Sequence, residues 1–158
     1  MVKVYGKRLP HTFFWFPQAE YMSDHPPRIY VFYCATSYEQ GETMRGIDAR
    51  GAEVKLVALP CSGKLDILYL TKAFETDADG VAVMMCKEGE CRYLEGNLRA
   101  KKRIEAVDGL LEETGLGSGR VAFIQMGEGG VARVIRDVNE FCSRIKAGKE
   151  IVMNAGAR

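Results

Sequence analysis

The chain has 158 residues, of which 47% are hydrophobic and 27% charged, a size that suits one domain burying a core without disulfide staples. Lys and Arg total 22 against 21 Asp and Glu, a net charge of +1. That balance excludes a whole-chain polycation, so no nucleic acid is expected as partner, and it argues against a disordered acidic or basic tail.

Residues 1–27 hold the only Trp, both His and four of the five Pro (Pro10, Pro17, Pro26, Pro27), with no sustained period. They read as an irregular, aromatic-rich arm. Its Phe13-Phe14-Trp15-Phe16 cluster must be covered, by its own domain or by a partner, so the arm is a candidate docking segment. Neither a signal-peptide apolar region nor an 18-residue apolar run is present, so no membrane span and a cytoplasmic location are expected.

Beyond the arm the pattern is regular. Four short, nearly continuous apolar runs, at 29–33, 54–59, 81–85 and 121–126, suit strands buried on both faces. Helical stretches are expected at about 38–49, 64–76, 92–114 and 130–147. The second carries Leu65, Leu68, Tyr69, Lys72 and Ala73 at helical spacing. The third places Tyr93, Ala100, Ile104, Val107 and Leu111 on one face, with Gly115 as C-cap. The fourth has Val131, Val134, Ile135, Val138, Phe141 and Ile145 on one stripe, with Gly148 beyond it. Strands alternating with helices predict an α/β fold over 28–150: a four-stranded parallel sheet with right-handed crossover helices, Rossmann- or flavodoxin-like. Residues 151–158 read as a tail.

The cysteines carry the chemistry. Cys34 ends the first strand, Cys61 follows the second, Cys86 ends the third, and Cys91 lies in the loop before the long helix. In a parallel sheet those positions share the carboxyl edge, where ligands bind. Four thiolates there suit a zinc ion or a [2Fe–2S] cluster, and the spacing does not choose between them. The plainer alternative is four small buried hydrophobes. Cys142, beside Phe141 on the last helix, reads as a packing residue.

Rival motifs are weaker. Cys86 to Arg92 is a C-x5-R sequence between strand and helix, the arrangement of cysteine phosphatases and arsenate reductases. Its loop carries Glu88 and Glu90, which would repel a phosphate. Cys61-Ser62-Gly63-Lys64 fails as a P-loop because Ala58 replaces the first glycine and Leu65 follows the lysine.

A family resemblance adds to this reading. Cys61-Ser62-Gly63-Lys64-Leu65-Asp66, Ala73-Phe74, Ala78-Asp79-Gly80-Val81, Cys86-x-x-Gly89-x-Cys91-x-Tyr93-x-x-Gly96-Asn97, Ala100 and Arg103 together resemble the delta subunit of methyl-viologen-reducing hydrogenase. The resemblance implies a [2Fe–2S] cluster in a non-catalytic electron relay. The relay would join a hydrogenase- or formate-dehydrogenase-like module to a heterodisulfide-reductase-like flavoprotein subunit, among other redox subunits. Cys61, Cys86 and Cys91 match family cysteines directly. Where the family has a Cys-Cys-x-x-Cys cluster after the first strand, this chain has Cys34 alone; where the family has His after the second loop cysteine, it has Arg92. Cys34, Cys61, Cys86 and Cys91 are thus the expected ligands. A structural zinc protein, a cluster-free linker subunit and a C-x5-R enzyme using Cys86 and Arg92 are the alternatives.

Overall fold

The structure, a computed structural model, describes residues 25–38, 45–48 and 51–156. Of the expected arm, residues 1–24 lie outside the described residues. So do 39–44 and 49 of the first expected helix, of which Arg45 and Gly46 are helical.

Four parallel strands form one sheet: β1 (Arg28–Cys34), β2 (Glu53–Leu59), β3 (Gly80–Met85) and β4 (Val121–Gln125), in the order β2-β1-β3-β4. Ile29 lies between Val54 and Gly80, and Val81 pairs with Val121. Only β3 is buried at every position. β2 and β4, at the two edges, are only partly covered: β2 is buried at Leu59 alone, and β4 at Val121 and Ile124.

A 3₁₀ turn (Ser62–Lys64) follows β2 and leads into α1 (Ile67–Glu75). The helix starts later than its sequence period implies, because Asp66 caps it, accepting from the Leu68 N–H at 3.0 Å. Its buried stripe is therefore Leu70, Ala73 and Phe74, while Leu68 and Tyr69 face solvent. α2 (Gly96–Glu113) also starts later than expected, leaving Tyr93 outside the helix and exposed. Ala100, Ile104, Val107 and Leu111 are buried as expected. α2 ends in a Schellman motif: Gly115, at φ 80°, donates to Glu112 O and Leu116 donates to Leu111 O. α3 (Gly130–Gly156) runs straight through Gly148, burying Val134, Val138, Phe141, Cys142 and Ile145.

α1 and α2 cover one face of the sheet through Phe32, Val81, Val83 and Met85; α3 covers the other through Ile29, Val31, Ala82 and Met84. Each such aliphatic side chain contributes ~1.5–3 kcal/mol on burial. At the amino edge Asp79 accepts from the Arg28 N–H at 2.9 Å and from Lys149 Nζ at 3.0 Å, tying β1, β3 and α3 together. Among the described residues no helix is long and apolar enough to cross a membrane.

Candidate functional site

The strand order reverses between β1 and β3, so the switch point of the sheet lies at their carboxyl ends. Cys34 is the last residue of β1 and Cys86 the first beyond β3; Cys61 follows β2, and Cys91 sits in the loop before α2. Cys61, Cys86 and Cys91 are buried and form one contact group. Cys34 packs in the core beneath α3 with Tyr33 and Tyr38. It remains close enough for its charge to act on Cys61 and Cys86. All five cysteines are free. No three His, Cys, Asp or Glu side chains among the described residues converge as a single bound metal ion requires. Cys142, on the buried face of α3, packs as a hydrophobe would, and burial pushes its thiol up to about 11.

Two glycines let the segments around the thiols close up. A Cβ on Gly63 would lie 2.7 Å from Gly96 Cα, and one on Gly96 would lie 2.5 Å from Cys61 Sγ and 3.1 Å from Cys91 Sγ. Neither contact is tolerable, so only glycine permits the 3₁₀ turn to rest against the start of α2. Side chains then pin the assembly. Arg103 donates from one nitrogen to Gly63 O at 2.9 Å and Leu65 O at 2.6 Å. Asn97, buried in the first turn of α2, donates to Lys87 O at 3.1 Å and so holds the loop after β3. Gln125 donates to Cys86 O at 3.4 Å, and the buried Tyr38 hydroxyl donates to Met85 O at 2.8 Å.

Electrostatics separates the thiols. Burial raises Cys91, but N–H groups of Tyr93, Asn97 and Gly96 outweigh it, leaving this thiol below its ordinary value. Gly96 and Asn97 open α2, whose dipole also favours a thiolate, and Tyr93 lies in the turn before it. Burial, then the neighbouring thiols, push Cys86 up to about 12. Cys61 is also raised, chiefly by burial, against the Gly63 N–H that donates to its Sγ at 3.3 Å. Burial and the charges of Cys86 and Cys34 raise the Tyr38 phenol. Ser62 Oγ is fully buried and has no hydrogen-bond partner among the described residues. Beside Cys91, Leu94 stands 85% exposed with φ 64°, a left-handed conformation that costs a bulky residue ~1–3 kcal/mol.

Fold and site together define an α/β protein with a thiol site at the switch point of a flavodoxin-like sheet. More narrowly, the chain belongs to the family described as methyl-viologen-reducing hydrogenase, delta subunit, which matches residues 29–148. The vhu iron-sulfur subunit of the F420-non-reducing hydrogenase of Methanocaldococcus jannaschii is 40% identical over 95 residues, 60% of this chain and 71% of that protein. The corresponding subunit of Methanopyrus kandleri is 31% identical over 123 residues, 75% of this chain and 92% of its own length. A subunit of the ferredoxin/F420H2-dependent CoB-CoM heterodisulfide reductase of Methanosarcina acetivorans is 28% identical over 93 residues, 59% of this chain but 12% of that protein.

Two supporting residues escape sequence reasoning. Tyr38 falls in a stretch with a helical expectation, and Gln125 reads as one more strand residue; neither has a spacing that signals a bond to the carbonyls beside Cys86. A buried phenol needing a partner is the only available signal for Tyr38.

Proposed function

We propose that the chain is an electron-transfer iron–sulfur subunit in which Cys34, Cys61, Cys86 and Cys91 hold one [2Fe–2S] cluster. The observation carrying this reading is the group of buried thiols at the carboxyl edge, with backbone N–H groups aimed at Cys61 and Cys91.

The donor set suits such a cluster. Four thiolates are its usual ligands, and hydrogen bonds to its sulfurs set its potential. The Gly63 and Gly96 contacts bring the turn after β2 close against Cys61 and Cys91, and Ser62 Oγ is a buried donor with no partner among the described residues. Cys61, Cys86 and Cys91 form one contact group and Cys34 lies close enough for its charge to act on Cys61 and Cys86. Four thiolates serve zinc or a cluster, and the iron-sulfur names of the relatives favour the cluster. The C-x5-R reading loses its anion cradle, because the N–H groups opening α2 serve Cys91 and Arg92 precedes the helix in an exposed loop.

When bound, the cluster supplies one-electron transfer; the protein's part is to position it and tune its potential. The names of the relatives support electron transfer inside a hydrogenase or heterodisulfide reductase assembly. On this reading the donor is a hydrogenase- or formate-dehydrogenase-like module and the acceptor a heterodisulfide-reductase-like flavoprotein subunit. The heterodisulfide reductase relative, in which the matching domain is one segment of a much longer chain, favours that acceptor.

Anaerobic purification with metal analysis and a visible spectrum tests the proposal. It expects a brown protein with about two irons per chain, bleached by serine at position 34, 61, 86 or 91 and retained by Cys142→Ser. A colourless protein with one zinc, or a metal-free chain whose Cys86 is protected by phosphate or arsenate, refutes it.

A further inference from the structure

The backbone around the 3₁₀ turn after β2 is well satisfied. Leu59 O accepts from the Ala35 N–H at 2.8 Å, Pro60 O from the Thr36 hydroxyl at 2.9 Å, and Cys61 O from the Lys64 N–H at 2.9 Å. Ser62 O accepts from the Leu65 N–H at 2.9 Å, and Gly63 O from Arg103 at 2.9 Å. Each carbonyl from Leu59 to Gly63 thus has a donor, and the Gly63 N–H serves Cys61 Sγ. One side chain in this turn stands apart. Ser62 Oγ is fully buried without a hydrogen-bond partner, and among the described residues no other buried side-chain nitrogen or oxygen is in that state.

Such a hydroxyl is costly, because it gives up its hydrogen bonds to water and gains none. A serine in a turn ordinarily bonds a nearby backbone group. Here the neighbouring carbonyls are engaged elsewhere, and the hydroxyl bonds none of them. Alanine would serve the turn equally well, so the fold by itself does not account for serine.

Position supplies the missing partner. Cys61 precedes Ser62, and Gly63 follows it against Gly96, whose Cα lies beside Cys61 Sγ and Cys91 Sγ. The turn also contacts α2, β1 and β3, the elements beside which Cys91, Cys34 and Cys86 stand. The unpartnered donor therefore sits among all four candidate ligands. Cys61 Sγ accepts from the Gly63 N–H and not from Ser62 Oγ, which leaves the hydroxyl for an acceptor that arrives with the cofactor.

Resting on the relay reading above, we propose that Ser62 tunes the bound cluster by donating its hydroxyl hydrogen bond to an inorganic sulfide. A donor at that sulfur favours the reduced, more negative state and so raises the potential. Serine at position 62 then serves redox poise rather than folding.

The test uses the full iron-loaded chain, purified anaerobically. Wild-type protein exchanged into D2O should shift its bridging iron–sulfide Raman bands, and Ser62→Ala should show no such shift. In a dye-mediated redox titration Ser62→Ala should lose about tenfold in its one-electron reduction constant, a fall of ~59 mV. Bands that stay put in the wild type, a shift that survives in Ser62→Ala, or a potential that is unchanged or higher in that variant overturns the proposal. Should Ser62→Ala fail to hold iron, the wild-type bands decide alone. Iron content of the wild-type chain reports on the relay reading separately: a wild-type chain without iron refutes that reading, whereas an iron-loaded one with unmoved bands refutes only the role of Ser62.

Discussion

Gly96→Ala isolates the close approach on which the site depends. On helix propensity alone the change would stabilise α2 by up to ~1 kcal/mol. The new Cβ, however, would lie 2.5 Å from Cys61 Sγ, 3.1 Å from Cys91 Sγ and 3.4 Å from Gly63 N. None of these atoms yields easily: Cys61 Sγ is held by the Gly63 N–H, Cys91 Sγ by the start of α2, and Gly63 by Arg103. Overpacking of this kind costs ~1–3 kcal/mol, so a net loss of about 1–2 kcal/mol is expected, lowering Tm by about 2–8 °C for a chain of this size. The comparison is Gly109→Ala in the same helix, where a Cβ meets nothing within 4 Å. That variant should gain up to ~1 kcal/mol. Thermal melts and iron content of both variants, purified anaerobically, decide the matter. Gly96→Ala melting as high as Gly109→Ala, with full iron, refutes a requirement for glycine at this position.

Arg103→Met removes two charge-assisted bonds to the 3₁₀ turn, and should cost ~1.5–3 kcal/mol; Lys should restore little of it, which chemical denaturation measures. Arg92 is exposed beside Cys91; next to the proposed cluster its charge would favour the reduced, more negative state, so Arg92→His should lower the reduction potential, by less as salt rises. An unchanged potential in a redox titration refutes that role. In the metal-free chain, Cys86 and Cys142 hold their protons up to about 12 and about 11, against an ordinary 9.0. Between those values the unfolded chain binds fewer protons, so this stabilisation is complete below pH 9 and is lost as pH rises toward 11–12. Melts at pH 8 and 10.5 should show the fall. Cys91, the one thiol of the group held below its ordinary value, should react with iodoacetamide before Cys61 and Cys86 at pH 7–8 in that same chain; mass mapping that finds Cys86 first refutes the ordering.

Much of this was legible in the chain itself. The four apolar runs located all four strands, because a strand in a parallel sheet needs a near-continuous apolar stretch. Placing the cysteines after strands predicted a shared edge, because parallel strands end on the same side. Sequence period misplaced the starts of α1 and α2, because hydrogen bonds rather than apolar spacing set helix ends. Asp66 caps α1 one residue before Ile67, and Cys91 Sγ takes the N–H groups that would otherwise extend α2 backward. Tyr93, Leu68 and Tyr69 thereby moved from expected core to surface.

By itself, then, the sequence determined the element types, the parallel sheet and the family motif, since each is written in residues close along the chain. Tertiary structure alone decided which thiols meet. It brought Cys61, Cys86 and Cys91 together and set Cys34 among the aromatics under α3. It showed Gly63 and Gly96 to be one contact between segments 33 residues apart, and Arg103 its clamp. Those facts depend on how a turn and a helix start pack across the edge of the sheet, a distance in space that no local pattern of residues encodes.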